Sequence, residues 1–272
     1  MSTLYVVATP IGNLSDLTAR AREIFYAVPT VAAEDTRVTR KLLNHIGAAP
    51  RLESLHEHTP PDRVKNIVAK LESGDMAVVT DAGTPGISDP GAALVREAVA
   101  AGHAVVPLPG PSAISTALSV TGWAFDRFLF RGFLPRKSKD RASALNSVVT
   151  EPGPIVLYES PHRVAATLAG IREVLPDRQL VICRELTKLY EEIFRGTASE
   201  AASHFSDPRG EFVIVIQGAD GQPVKASSDD SIVESLRDLE SQGLKGRSLV
   251  DRAVELTGAP KNRVYRLSLK GD

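Results

Sequence analysis

Short apolar runs alternate with stretches of helical period along most of the chain. Leu4-Tyr5-Val6-Val7-Ala8, Thr30-Val31-Ala32-Ala33 and Met76-Ala77-Val78-Val79-Thr80 are continuous β-prone runs, the pattern of strands buried on both faces of a sheet. Between them, Leu14, Leu17, Ala21, Ile24 and Phe25 mark one face of a helix that starts near Ser15, with Ser15 and Thr18 as an incomplete capping box. Val38, Leu42, Leu43 and Ile46 mark a second helix that stops at Gly47. Leu52 to Thr59 reads as strand and loop, placing His56 and His58 on one side of the chain. Pro61 to Gly74 and residues 92–101 read as helices, and Ala104-Val105-Val106-Pro107-Leu108 as a further strand. This alternation predicts an α/β lobe over residues 1–118.

A second α/β lobe is expected over 119–220. Its strands are Pro154 to Tyr158, Leu180 to Cys183, Glu191 to Gly196 and Gly210 to Ile216, and its helices Val164 to Leu175 and Ser199 to Phe205. Gln217 to Pro223 reads as a linker. Residues 228–272 form a small helical module: 229–242, 246–257 and 260–269 read as amphipathic helices broken at Gly243, Gly246, Gly258 and Pro260.

The strands end in loops whose composition is not that of ordinary turns. Asp81-Ala82-Gly83-Thr84-Pro85-Gly86-Ile87-Ser88-Asp89-Pro90-Gly91 cannot continue a strand or a helix, because Gly is costly to order there and Pro lacks the N–H donor. Pro109-Gly110-Pro111-Ser112-Ala113 is a second such loop, and Glu34-Asp35-Thr36-Arg37 brings two carboxylates and a guanidinium to a third strand end, where open α/β sheets bind ligands. Asp35 or Thr36 as a plain helix cap, with a solvated Glu34, fits that third loop equally well. The first loop, Ala8-x-Pro10-x-Gly12, puts Pro10 where G-x-G-x-x-G has a glycine, so a dinucleotide is disfavoured.

Composition narrows the classes. Thirty-two basic residues stand against 33 acidic ones and 43% of the chain is hydrophobic, so no global charge bias points to nucleic acid or membrane. The single cysteine, Cys183, excludes an internal disulfide and fits a reducing compartment. With no signal peptide or membrane span in view, a cytoplasmic protein is expected. Two histidines without a third ligand make no metal site, and none is expected.

Charge is biased only locally. Arg127, Arg131, Arg136, Lys137, Lys139 and Arg141 face one acid, Asp140, with Phe128, Phe130 and Phe133 between them. Such a stretch suits phosphates and stacked bases, or equally a strand with one buried aromatic face. From Lys245 to Lys270 seven basic residues face Asp251 and Glu255, and a basic last helix with Lys261, Arg263 and Arg266 has the layout of a helix-turn-helix-type nucleic-acid module; a helical cap with a solvated face fits as well.

Thr9 to Asp16, Ala33 to Arg37, Asp81 to Gly91, Pro107 to Ala113, Tyr158 to Arg163 and Arg184 to Lys188 together resemble the ribosomal RNA small subunit methyltransferase I family of the tetrapyrrole-methylase superfamily. The resemblance runs from Leu4 to about Gly218 and is looser in the C-terminal helices. It implies two αβα lobes with the cofactor in the cleft between them, a homodimer, and methyl transfer from S-adenosylmethionine to the ribose 2′-oxygen of a cytidine in the decoding centre of 16S rRNA. Carried over residue by residue, it assigns the cofactor to Pro10, Asp81, Ala82, Gly83, Thr84, Ile87, Ser88, Ser112, Ala113, Tyr158, Leu186, Glu211 and Phe212. Ala82-Gly83-Thr84-Pro85 departs from the Gly-Gly-Asp-Pro common in tetrapyrrole enzymes, so the group that meets the polar end of the cofactor is open.

A ribose hydroxyl is a weak nucleophile, and a base should lie within hydrogen-bond reach of it. Glu34, Asp35, His56 and His58 are candidates; Asp35 is preferred, with Arg37 on a phosphate. Arg131, Arg136, Lys137, Lys139 and Arg141, with Lys261, Arg263 and Arg266, are the expected RNA contacts. A corrinoid or porphyrin methyltransferase competes, but a small macrocycle has no use for two basic tracts. A non-catalytic RNA-binding protein also competes, but would not need two cofactor-type loops in one lobe.

Overall fold

The structure, a computed structural model, describes residues 2–219, 229–257, 259 and 261–269. The first half of the chain builds a sheet from β1 (Thr3–Val7), β2 (Thr30–Ala33), β3 (Arg51–Ser54), β4 (Met76–Val79) and β5 (Ala104–Leu108), in the order β3-β2-β4-β1-β5 and parallel throughout. The two-residue period sends Val7, Val31, Ala33, Ala77 and Val79 to one face and Leu4, Ala32, Met76 and Val78 to the other. Both sets are buried, which is why these strands read as unbroken apolar runs. Helices α1 (Ala19–Ala27) and α2 (Thr36–Ile46) cover the first face through Phe25, Leu42 and Leu43. The second face lies under α3 (Pro61–Val68) and α4 (Ala92–Ala100), through Ile67 and Leu94. All five strands end on one edge of the sheet, so the loops that follow them converge.

Two local expectations change. Thr18, not Ser15, caps α1, its Oγ1 accepting the Ala21 N–H at 3.2 Å, while Asn13 caps a short 3-10 turn ahead of it. Strand β3 ends at Ser54, so His56 and His58 do not share a strand face; the His56 Nε2 instead meets Ser54 Oγ at 2.7 Å.

The second sheet follows from α5 (Ala113–Ser119), β6 (Leu129–Gly132), α6 (Ser138–Asn146), β7 (Ile155–Glu159), α7 (Pro161–Val174), β8 (Leu180–Arg184), β9 (Glu192–Gly196), α8 (Ala198–His204) and β10 (Phe212–Ile216). Its order is β6-β7-β10-β8-β9, with β6 and β7 parallel and the remaining pairs antiparallel. Helices α6, α7 and α8 cover the face carrying Leu157, Ile182 and Ile214. The opposite face, with Val156, Val181, Cys183 and Val215, is covered by Ile114, Ala117 and Leu118 of α5. The expected first lobe runs to residue 118, yet α5 packs on the second sheet, because its i, i+3, i+4 apolar stripe meets that sheet's uncovered apolar face. Sequence periodicity missed α6 for a related reason: Leu145 is its one buried side chain, and a helix that buries so little shows no stripe.

Helices α9 (Asp229–Ser241), α10 (Gly246–Thr257) and α11 (Lys261–Ser268) close on their own core of Ile232, Leu236, Leu249, Ala253 and Val264. The expected breaks at Gly258 and Pro260, and most of the expected linker, lie outside the described residues. Among the described residues no helix is long and apolar enough to cross a membrane.

The join between β7 and α7 carries a buried carboxylate. Glu159 is 3% exposed; its Oε2 accepts from Thr167 Oγ1 at 2.7 Å, its Oε1 from the Ser160 N–H at 2.8 Å, and Arg163 Nε lies 3.4 Å away. Negative charge at the start of α7 also complements the helix dipole. Removing the carboxylate strands three donors, so Glu159→Ala should cost about 3 kcal/mol in urea unfolding. Glu159→Gln, which keeps an acceptor, should cost less.

Candidate active site

The loops at the carboxyl edge of the first sheet are fastened to one another before they meet anything else. Thr9 and Gly83 exchange two backbone hydrogen bonds, at 2.9 and 3.0 Å, joining the loop after β1 to the loop after β4. Gly83 takes φ +80°, which a side chain would oppose. Thr84 Oγ1 donates to the Pro111 carbonyl at 3.4 Å and ties in the loop after β5.

Between these loops and the second sheet lies a cavity of about 430 Å³, a size that suits a small-molecule cofactor. Ile11, Ala82, Gly83, Thr84, Ile87, Ser88 and Asp89 line it from the first sheet's loops, and Ser112 and Ala113 from the start of α5. The second lobe supplies Phe133, Tyr158, Glu159, Ser160, Pro161, Cys183, Leu186, Glu211, Phe212 and Val213. Among the described residues no lysine or arginine lines it, whereas Asp89, Glu159 and Glu211 bring carboxylates. Burial, with the nearby Glu34 and Asp81 charges, pushes Asp89 up to about 6, against a lowering effect of the Thr80 hydroxyl. Burial and the Asp89 charge push the Tyr158 hydroxyl up to about 12, so it stays a phenol. Burial likewise pushes the Cys183 thiol up to about 11, making it a wall and not a nucleophile.

The second lobe's rim is held by charge. Glu185 Oε1 accepts from Lys188 Nζ at 2.8 Å and from the Glu211 N–H at 2.9 Å, and Lys188 Nζ also reaches Glu211 Oε2 at 2.8 Å. Burial opposes ionisation of Glu185, but these donors hold it below the usual carboxylate range. The loop presses on the first lobe at Gly12, where a Cβ would lie 2.5 Å from Lys188 Cγ and 2.9 Å from Thr187 Oγ1.

A second recess shares the same loop. Glu34, Asp35, Thr36, Arg37, Ser54, His56 and Asp81 line it. The Asp81 N–H donates to Glu34 Oε2 at 3.3 Å, and the Asp35 N–H to Asp81 Oδ1 at 3.0 Å. Burial raises Glu34 above the usual range; the Asp81 N–H lowers it less than burial lifts it. Asp35 differs sharply. It caps α2 through the Arg37 N–H at 2.8 Å and grips the Arg37 guanidinium, Nη2 to Oδ2 at 2.6 Å, which holds its carboxyl far below the usual range. Among the described residues no group of His, Cys, Asp and Glu could hold a metal ion.

A family model, Tetrapyrrole (Corrin/Porphyrin) Methylases, matches residues 3–202. The chain is 43% identical, over 99% of its length and 98% of the relative's, to the ribosomal RNA small subunit methyltransferase I of Synechocystis. It is 42% identical, over 98% and 94%, to the protein of the same name from Escherichia coli O157:H7. The chain belongs to the ribosomal RNA small subunit methyltransferase I family. Solved structures agree on the fold of this family: diphthine synthase superposes with TM-score 0.62 at 15% identity over 80% of this chain and 90% of that one. The uroporphyrin III C-methyltransferase of Thermus thermophilus gives 0.57 at 14% over 80% and 98%. The two αβα lobes of this chain thus share the fold of these structures.

Within that architecture the expected positions separate. Ala82, Gly83, Thr84, Ile87, Ser88, Ser112, Ala113, Tyr158, Leu186, Glu211 and Phe212 surround the cavity. Pro10 is buried behind it and Asp81 faces the second recess instead, because the chain turns at Ala82 and sends neighbouring side chains to opposite sides. Asp89 and Phe133 line the cavity beyond the expected set, Asp89 from the glycine-rich loop after β4 and Phe133 from the basic tract after β6. Of the expected RNA contacts, Arg131, Arg136, Lys137, Lys139 and Arg266 are exposed. Arg141 is half-buried and donates to the Arg136 carbonyl at 3.0 Å. Lys261, also exposed, pairs with Asp251, and the half-buried Arg263 holds Asp229 at 2.7 and 2.9 Å.

The raised Asp89 has a stability consequence with a definite sign. Its folded pKa lies above its unfolded value, so the fold disfavours the charged form, and the penalty grows as pH rises from about 4 to about 6 and is complete above that. Asp89→Asn should therefore stabilise the chain by on the order of 1 kcal/mol at pH 7.5, after discounting for solvent screening. The gain should shrink at pH 5, as melting temperatures of both proteins at the two pH values will show.

Proposed function

We propose that the chain transfers a methyl group from S-adenosylmethionine to the ribose 2′-oxygen of a cytidine in 16S rRNA. The observation that carries this is a cavity walled by carboxylates and apolar side chains, with no lysine or arginine in its lining among the described residues, opening beside a recess that holds a half-buried glutamate. A phosphate-bearing cofactor would meet repulsion there; a ligand with a positive charge and an apolar nucleoside meets complementarity. S-adenosylmethionine, when bound, supplies a methyl on a positively charged sulfur for in-line displacement.

The residues divide the work. Asp89 and Glu211 hold the positive end of the cofactor; Leu186, Phe212 and Val213 wall in the nucleoside and exclude water. Glu34, with Oε2 engaged by the Asp81 N–H, receives the 2′-hydroxyl proton on Oε1. Asp35, expected as the base from sequence, is the weaker of the two, its oxygens occupied by Arg37 and the start of α2. The Asp35 fork orients Arg37, 87% exposed, toward a backbone phosphate. Family resemblance further supports action on the small ribosomal subunit in the cytoplasm, as a homodimer.

Incubating 30S subunits with labelled S-adenosylmethionine and mapping the product tests the reading: label on a cytidine ribose is expected, and label on a base or a tetrapyrrole would refute it. Glu34→Gln should lower kcat by about a hundredfold or more while cofactor affinity by calorimetry holds. Asp35→Asn should mainly raise KM for the subunit, since it frees Arg37. If instead Asp35→Asn abolishes kcat and Glu34→Gln does not, the base has been misassigned.

A further inference from the structure

Phe133 is an exposed aromatic held rigid at the mouth of the cavity. It is 54% exposed, although Phe130 on the same segment is half-buried. Its ring stands edge-on to Tyr158 with centroids 5.9 Å apart, and Phe130 stands edge-on to the same tyrosine at 5.0 Å. The Arg163 guanidinium lies 6.0 Å over the Phe133 ring, and the same side chain donates to the Leu134 carbonyl and reaches the buried Glu159. Gly132, at φ +60°, turns the chain just before it against Ser88 of the first lobe, where a Cβ would come within 3.3 Å of Ser88 Oγ. The platform thus sits at the meeting of the two lobes, its backbone and one side of its ring fixed in advance.

We propose that Phe133 stacks on the nucleobase of the methyl-accepting nucleotide, holding that nucleotide out of the RNA so that its ribose faces the cavity. This rests on the RNA reading given above and names the group that positions the substrate. The surroundings favour RNA over the nucleoside of the cofactor. Leu186, Phe212 and Val213 already give the cavity a buried apolar wall, whereas Phe133 belongs to its solvent-facing rim. The segment around it carries exposed Arg131, Arg136 and Lys137, placed for the phosphates flanking an extruded nucleotide. An unpaired base offers a π-face whatever its identity, and an aromatic platform fixed beforehand loses little conformational freedom when it binds one.

The test uses the full-length chain. Phe133→Ala should raise KM for 30S subunits about tenfold, leave S-adenosylmethionine affinity by calorimetry within twofold, and be rescued by Phe133→Trp; circular dichroism checks that each variant is folded. Weakened cofactor affinity with an unchanged KM for the subunit would assign Phe133 to the cofactor and overturn the proposal, as would no change in either. If the wild-type chain labels no RNA, the methylation reading fails by itself. Stacking is then decided by fluorescence anisotropy with a single-stranded oligoribonucleotide: a tenfold loss on Phe133→Ala sustains it, and equal binding ends it.

Discussion

The pair of backbone hydrogen bonds between Thr9 and Gly83 is the constraint on which the site depends. A parallel sheet aligns its strand ends, but the loops beyond them have no ladder to hold them. One antiparallel bridge outside the sheet, with Thr9 Oγ1 donating to the Thr80 carbonyl at 3.1 Å, extends order by a few residues past β1 and β4. It works because Gly83 adopts a left-handed conformation that would cost a side-chain-bearing residue about 1–2 kcal/mol. Fixing Gly83 in turn fixes which way its neighbours look: Asp81 toward one recess, Ala82 and Thr84 toward the other. Two adjoining sites are thus separated by a single stretch of backbone.

Across the cleft the second lobe meets this fixed edge with stored strain. Glu185 and Thr187 take φ of +51° and +67°, unusual for residues other than glycine, and the Thr187 hydroxyl is buried without a hydrogen-bond partner. The Glu185, Lys188 and Glu211 network holds this loop against Gly12, where only the lack of a side chain allows the approach. The charges in the cleft are also kept apart by role. Lys188 pairs with Glu211 at the rim and Arg163 with Glu159 behind the wall, and no ion pair to Asp89 is seen among the described residues.

The parallel sheet was legible because burial on both faces leaves unbroken apolar runs, as at Met76 to Val79. The loop after it was legible because no other structure suits so many glycines and prolines. What escaped was set by contacts that leave no periodic trace. Asp35 forks Arg37 two residues on and caps α2, whereas the Asp81 backbone, 47 residues away, reaches Glu34. Phe133 carries no periodic signal, since its place depends on Tyr158 and Arg163 from another strand and helix. Helix α6, with a single buried side chain, gave periodicity nothing to register.

Helix α5 changes where the molecule divides. Its residues follow directly on the loop that carries Ser112, yet its apolar face belongs to the core of the second sheet. Any rigid displacement of the second lobe therefore carries Ser112 and Ala113 with it, and the seam of the cavity runs through Pro109, Gly110 and Pro111. Two prolines there restrict rotation, and Gly110 is pressed so closely on Ala8 that a Cβ would lie 2.9 Å from its methyl. The two walls of the cleft are consequently joined by a short strap with little rotational freedom of its own.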